Sequence, residues 1–154
     1  MSSPQDRLHA LGLALPEVAA PVAAYVPAVR TGAYVYTAGQ VPLVDGKLPA
    51  SGKVGAEVDA ALAAELARVC ALNALAAAAS VAGGLAAIKQ VVKVTGFVAS
   101  APGFTGQPQV INGASELLLE VFGDAGKHAR SAVGVAVLPL DAPVEVELIV
   151  EVGD

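Results

Sequence analysis

The sequence predicts an α+β domain: one mixed sheet with two helices on one of its faces. Three observations predict it. A hairpin signal sits near the start, two valine-rich runs close the chain, and two segments of helical spacing lie between them. The predicted order is β-β-(β)-α-β-α-β-β. Hairpins mixed with two helices fit a sheet covered on one side.

Taken in order, Ser3 and Pro4 open a short helix over 5–11, with Ser3 as cap, Pro4 in the first turn and Gly12 as stop. Residues 13–24 are rich in Pro and Ala and are expected to be extended. Residues 25–30 and 33–37 read as strands around Thr31-Gly32, and Asp45-Gly46 marks a further turn. A long alanine-rich helix is expected over about 56–81. Its apolar positions, among them Leu62, Leu66, Val69, Leu72 and Leu75, recur every three or four residues and give it one packing face. Residues 90–98 form a continuous apolar strand that contains Lys93. The stretch 101–109 is a loop. Residues 110–122 form a second amphipathic helix that stops at Gly123. A final hairpin turns around Asp141. The whole of 1–154 reads as one domain, with 1–20 as helix and lead-in. The bare sheet face is expected to carry Val and Ala, too apolar to stay wet, which implies self-association.

The bulk properties narrow the function. The 154 residues carry 14 acidic and nine basic side chains, a formal charge of −5. The basic residues form no patch, which argues against nucleic acid as a partner. One cysteine, Cys70, permits no internal disulfide, and two distant histidines, His9 and His128, offer no metal site. Asp6 and Arg7 stand where a signal peptide would need an apolar core, so a cytoplasmic location is expected. Residues 70–88 are uncharged, but Asn73, Ser80 and Gly83-Gly84 mark a buried helix with a stop, not a membrane span.

The chemistry concentrates near the end. With period-two alternation Arg130 shares a strand face with Ala132, Gly134 and Ala136. A guanidinium beside very small side chains suits a pocket for a small carboxylate, which Arg binds through two parallel hydrogen bonds. A plain strand-end arginine is the alternative. Glu145, Glu147 and Glu151 share a face with Ile149, as a solvated face would. Tyr25 reads equally as a strand residue with its hydroxyl at the rim, and Asn112 as a helix-start cap. Asn73 reads as structural, His128 as the end of a turn, and Cys70 as a small buried hydrophobe.

Four collinear fragments over roughly 21–152 carry a resemblance. They are Tyr25 with Thr37-Ala38-Gly39-Gln40-Val41-Pro42; residues 91–98 with Phe104 and Asn112; Ala129-Arg130-Ser131; and Leu138-Pro139 with Val144-Glu145-Val146-Glu147. In these the chain resembles the Rid (YjgF-type) family of enamine/imine deaminases, also labelled endoribonuclease L-PSP. The resemblance implies a chorismate-mutase-like protomer that assembles as a homotrimer, with ligand clefts between subunits. It implies a small-molecule carboxylate substrate and no cofactor. It casts Arg130 as the carboxylate clamp and Glu145 as the group that orients water and takes its proton. Tyr25, Gly39, Asn112 and Ala132 line or support the cleft. Where many members carry a cysteine and a serine, this chain has Ala132 and Ala38, which points to a larger or more apolar substrate. A carboxylate-binding trimer without catalysis and a ribonuclease are the other classes. Glu145 favours the enzyme over the binder, and the lack of a His pair or basic groove disfavours the nuclease.

The expected final hairpin makes a further statement about the site. Residues whose numbers sum to about 282 would lie opposite each other. Arg130 and Glu145 would then stand roughly 23 Å apart along the strands. They would meet at one ligand only across subunits.

Overall fold

A computed structural model describes residues 2–21 and 23–153; Val22, within the expected extended stretch, lies outside them. Helix α1 (Pro4–Ala10) opens with the expected Ser3 cap. The Ser3 hydroxyl accepts from the Asp6 N–H at 3.1 Å, and the Asp6 carboxylate accepts from the Ser3 N–H at 3.0 Å. Strands β1 (Ala28–Thr31) and β2 (Tyr34–Thr37) form the first hairpin, with Gly32 at φ +58° in its turn.

Helix α2 (Ala60–Ala82) begins four residues later than expected. Asp59 supplies the cap: its carboxylate accepts from the Leu62 N–H at 2.8 Å, whereas residues 53–58 are held in a turn by Glu57. The helix ends where expected, on Gly83 in the left-handed region. By length and composition alone α2 could span a membrane, but Leu66, Cys70, Ala74 and Leu75 are buried against the sheet and its neighbouring helix. It is the core helix that its glycine stop and polar residues suggested.

Strand β3 (Ile88–Ala99), helix α3 (Gln107–Phe122), and strands β4 (Ala129–Val135) and β5 (Val144–Val152) complete the chain. The order β-β-α-β-α-β-β is thus observed. Helix α3 buries Val110, Ile111, Ala114, Leu117, Leu118 and Val121. Each large aliphatic among them contributes about 1.5–3 kcal/mol through removal from water. Gly113 lets α3 lie directly on the Ala64 carbonyl of α2, where a Cβ would collide. That contact fixes α3, and with it the side chains on its opposite face.

The sheet order is β1-β2-β5-β3-β4, and the last pair is parallel. This corrects the expected final hairpin. Strand β4 and strand β5 do not pair; β3 lies between them, antiparallel to β5 and parallel to β4. The physical reason lies in β3, a 12-residue strand whose backbone groups need partners along both edges; β5 takes one edge and β4 the other. The connector over 136–143 carries the chain across it. Leu140 and Asp141 both take the left-handed conformation there, at φ +61° and +57°. The Gly52 N–H bonded to the Asp141 carbonyl at 2.8 Å and the Lys53–Asp141 ion pair hold that bend.

The open face of the sheet is not the Val and Ala surface expected. Ala28 and Ala132 lie on the helix side. The open face carries Val29, Tyr34, Tyr36, Phe97 and Val133 around a polar row of Lys93, Thr95, Glu145 and Glu147. Val29, Tyr34, Tyr36 and Val133 are each exposed, so a broad amphipathic surface stands uncovered in the single chain.

Candidate active site

The expected site residues fall into two groups on opposite sides of the sheet. The first surrounds Arg130 on edge strand β4. Arg130 pairs in register with Val94, a residue buried beneath the helices, so its side chain runs toward α3. There Nη1 donates to Asn112 Oδ1 at 2.9 Å and to Ser115 Oγ at 3.2 Å, and Nη2 donates to the Pro108 carbonyl at 3.0 Å. Pro108, Asn112 and Ser115 follow one another at helical spacing, so one face of α3 forms the cradle. Of the five N–H donors of a guanidinium, Nε–H and one Nη2–H have no acceptor among the described residues. No carboxylate among them pairs with Arg130 either; the ion pairs are Lys53–Asp141, Arg68–Glu120 and Lys127–Asp124. A fixed, half-buried cation with spare donors and no counter-charge is suited to an anion.

The small residues of β4 have a different use from the one expected. Gly134 and Ala132 do face the same way as Arg130, but that side receives α3 and its loop rather than empty volume. A Cβ on Gly134 would meet the Gln107 amide and the Ser100 hydroxyl, and Ala132 packs on the core. Ala132 is therefore packing beside Arg130, next to Gly96 in register.

The second group surrounds Glu145. It pairs with Phe97 on the open face and lies half-buried between the fully buried Val144 and Val146. A bulge brings Gly39 against it. After Tyr36 pairs with Ile149, three residues, 37–39, lie opposite two, 147 and 148, before Gln40 pairs with Val146. The Thr37 hydroxyl accepts the Leu148 N–H at 2.9 Å in place of the missing ladder bond. Gly39 then lies on the Glu145 carboxylate so closely that any Cβ would collide with it. Burial raises the Glu145 carboxyl above its ordinary pKa, and the neighbouring Glu147 charge adds to the rise. A cavity of about 320 Å³ opens beside the carboxylate, lined by Tyr25, Gly39, Gln40, Val41, Leu140 and Glu145.

Tyr25 lines the same cavity as Glu145 and Gly39, from a loop rather than the expected strand, and it is 48% exposed. Asn112 is no cap; it sits inside α3 and steadies the guanidinium. Asn73 is structural, its amide donating to the Val41 and Leu43 carbonyls at 3.1 Å and so fixing one wall of the cavity. Cys70 is fully buried, and burial pushes its thiol well up, which keeps it protonated. Sequence reading missed Ser115. Its signal was its place three residues after Asn112 on a helix face. His128 does more than end a turn: its Nε2 lies 2.8 Å from Ser115 Oγ.

A sheet of this order, with two helices on one side and its Arg and Glu groups on the strands after them, defines a chorismate-mutase-like α+β protein. Residues 5–152 match the family described as "YjgF/chorismate mutase-like, putative endoribonuclease". The chain belongs to that family. It is 43% identical over 148 residues to Protein TCP17 of Trypanosoma cruzi, covering 96% of this chain and 92% of that protein. Among solved structures, an endoribonuclease-labelled protein of Shewanella oneidensis is 37% identical with a TM-score of 0.94, covering 98% of this chain and 100% of that one. TdcF of E. coli, solved with bound serine, is 25% identical with a TM-score of 0.66, covering 89% and 94%. The chain therefore resembles the Shewanella protein in shape more than it does TdcF.

Proposed function

We propose that this protein hydrolyses reactive enamines and imines of the 2-aminoacrylate or 2-imino acid type to 2-keto acids and ammonia, as a homotrimer with clefts between subunits. The carrying observation is the Arg130 guanidinium, held by three neutral acceptors of α3 with donors to spare and no ion-paired acid among the described residues. The serine held by the related TdcF supports a small amino-acid-like carboxylate as the ligand. Two of the six residues expected at the site gather around Arg130 and two around Glu145, and a neighbouring subunit that brought its Glu145 to Arg130 would complete one cleft.

The chemistry then needs positioning and proton transfer. Arg130 holds the carboxylate of the iminium acid. Glu145 takes a proton from water as the oxygen bonds to the imine carbon and the C=N electron pair moves to nitrogen. The same carboxyl returns that proton to the amine, the C–N bond breaks, and the Glu145 carboxylate takes the hydroxyl proton as the oxygen closes the keto group, then passes it to the released ammonia. Ammonium and a 2-keto acid leave. An enamine first takes a proton at its β-carbon. A carboxyl raised by burial accepts and returns protons nearer neutrality than an exposed one. The endoribonuclease label carried by relatives finds less support in a chain with 14 acidic and nine basic residues.

The test is ammonia release from imino acids generated in place by an amino-acid oxidase, with side chains of increasing size. Acceleration that vanishes in Arg130→Ala and in Glu145→Ala is expected. Carboxylate binding without any acceleration would leave the binding trimer as the function, and RNA cleavage without either would leave the nuclease.

A further inference from the structure

Behind Arg130 runs a chain of three hydrogen bonds that the proposed reaction does not use. Arg130 Nη1 lies 3.2 Å from Ser115 Oγ, Ser115 Oγ lies 2.8 Å from His128 Nε2, and His128 Nδ1 lies 2.6 Å from the Gly126 carbonyl. The last link sets the direction of the others. A carbonyl oxygen only accepts, so Nδ1 carries the proton. In the neutral imidazole Nε2 is then an acceptor, and the Ser115 hydroxyl must donate to it. The serine lone pairs are thereby turned to the guanidinium, which can only donate. All three bonds polarise the same way, and each strengthens the next.

The far end of the chain is anchored. Gly126 is buried so tightly against the Leu118 carbonyl of α3 that a Cβ would collide with it. Two links of the relay therefore rest on α3: Ser115 as a residue of the helix and Gly126 packed against it. An arginine side chain on an edge strand loses rotamer freedom when it is fixed. Here that loss is taken on folding, before any ligand arrives.

We infer that Ser115 and His128 are positioning residues that aim the free edge of the Arg130 guanidinium at a carboxylate ligand. The inference rests on the proposed role of Arg130, and its effect falls on binding rather than on the chemical step. Ser115→Ala and His128→Ala should each weaken carboxylate binding about tenfold, the worth of one hydrogen bond to a charged group. The double variant should be no weaker than either single one, because the relay fails as a unit. Ser115→Thr keeps the hydroxyl and His128→Gln keeps an acceptor, and both should recover binding.

Titration calorimetry with 2-oxobutanoate as the probe, alongside circular dichroism for folding, reads these effects. KM should rise in the two alanine variants while kcat stays within about twofold. Wild-type binding in Ser115→Ala and His128→Ala, with binding lost in Arg130→Ala, would overturn the relay and leave the functional reading intact. Undiminished binding in Arg130→Ala would instead overturn the functional reading. Nitrogen-15 NMR tests the relay without any ligand. It should show the Nδ1–H tautomer at His128, and an Arg130 guanidinium that becomes mobile in Ser115→Ala. An Nε2–H tautomer, or no change in that mobility, would overturn the inference.

Discussion

Arg130 and Glu145 stand on opposite faces of the same sheet. Arg130 is level with Val94 on the helix side, and Glu145 is level with Phe97 on the open side. Their strands flank β3, so they are two strand spacings apart, about 9.5 Å, and three residues apart along it, about 10 Å. Even without the intervening sheet, one small ligand could not bridge them. The separation of the two residues within one chain thus holds although β4 and β5 do not form the expected hairpin. Its cause is the face on which each side chain lies.

The composite cleft has a direct test. Arg130→Ala and Glu145→Ala proteins should each be inactive. After subunit exchange at equal amounts, about one cleft in four should carry both intact residues and restore that share of activity. Light scattering should give about 46 kDa, three times the 15.2 kDa chain. A 15 kDa monomer, or a mixture that stays dead after proven exchange, would show that the cleft is not shared.

Arg130→Lys should fail almost as completely as Arg130→Ala. The α3 cradle takes three donors in fixed directions, and a ligand carboxylate needs two more. A lysine has three in all, on a single nitrogen. A loss of at least about a hundredfold in kcat/KM is expected, corresponding to two charge-assisted bonds. Near-normal turnover in the lysine variant would return Arg130 to a strand-end role.

How much of this was legible in the sequence differs from residue to residue. Ser3, Gly83 and Gly123 mark helix ends by local chemistry, and all three act as expected. Arg130 stood out because it opens an apolar run. The partner of β4 was not legible, because strands adjacent in sequence usually pair and nothing local says that a third will come between. Ser115 and His128 are unremarkable singly, and only the fold joins residues 13 apart on a helix and a strand end. The bulge at 37–39 likewise exists only against β5, so the reason for Gly39 could not be read from its own neighbours.

Gly39→Ala isolates that bulge. Gly39 does not need the left-handed conformation, so alanine costs its backbone little. The added Cβ must instead displace the Glu145 carboxylate. Activity should fall at least about tenfold while Tm moves by only a few degrees. Crystals of the variant should show Glu145 in another rotamer. Unchanged activity would mean that the position of this carboxylate does not matter.

The pH dependence of stability follows from the same carboxylate. Burial, and then the charge of Glu147, raise its folded pKa above the unfolded value. The folded protein therefore holds the Glu145 proton more tightly than the unfolded chain does. The stability this provides is fully present below the unfolded pKa and is lost as pH rises through the raised folded value. Above that, a half-buried ionised carboxylate weakens the fold. Glu145→Gln has no charge to bury, so its Tm should match the wild type in acid and exceed it increasingly as pH rises, before levelling off. Thermal melts of the two proteins from acid to neutral pH measure the gap directly. A gap that stays constant with pH, or that favours the wild type at neutrality, would mean that a partner stabilises the ionised Glu145. In that case the carboxylate is held by a cation instead of being poised to exchange protons.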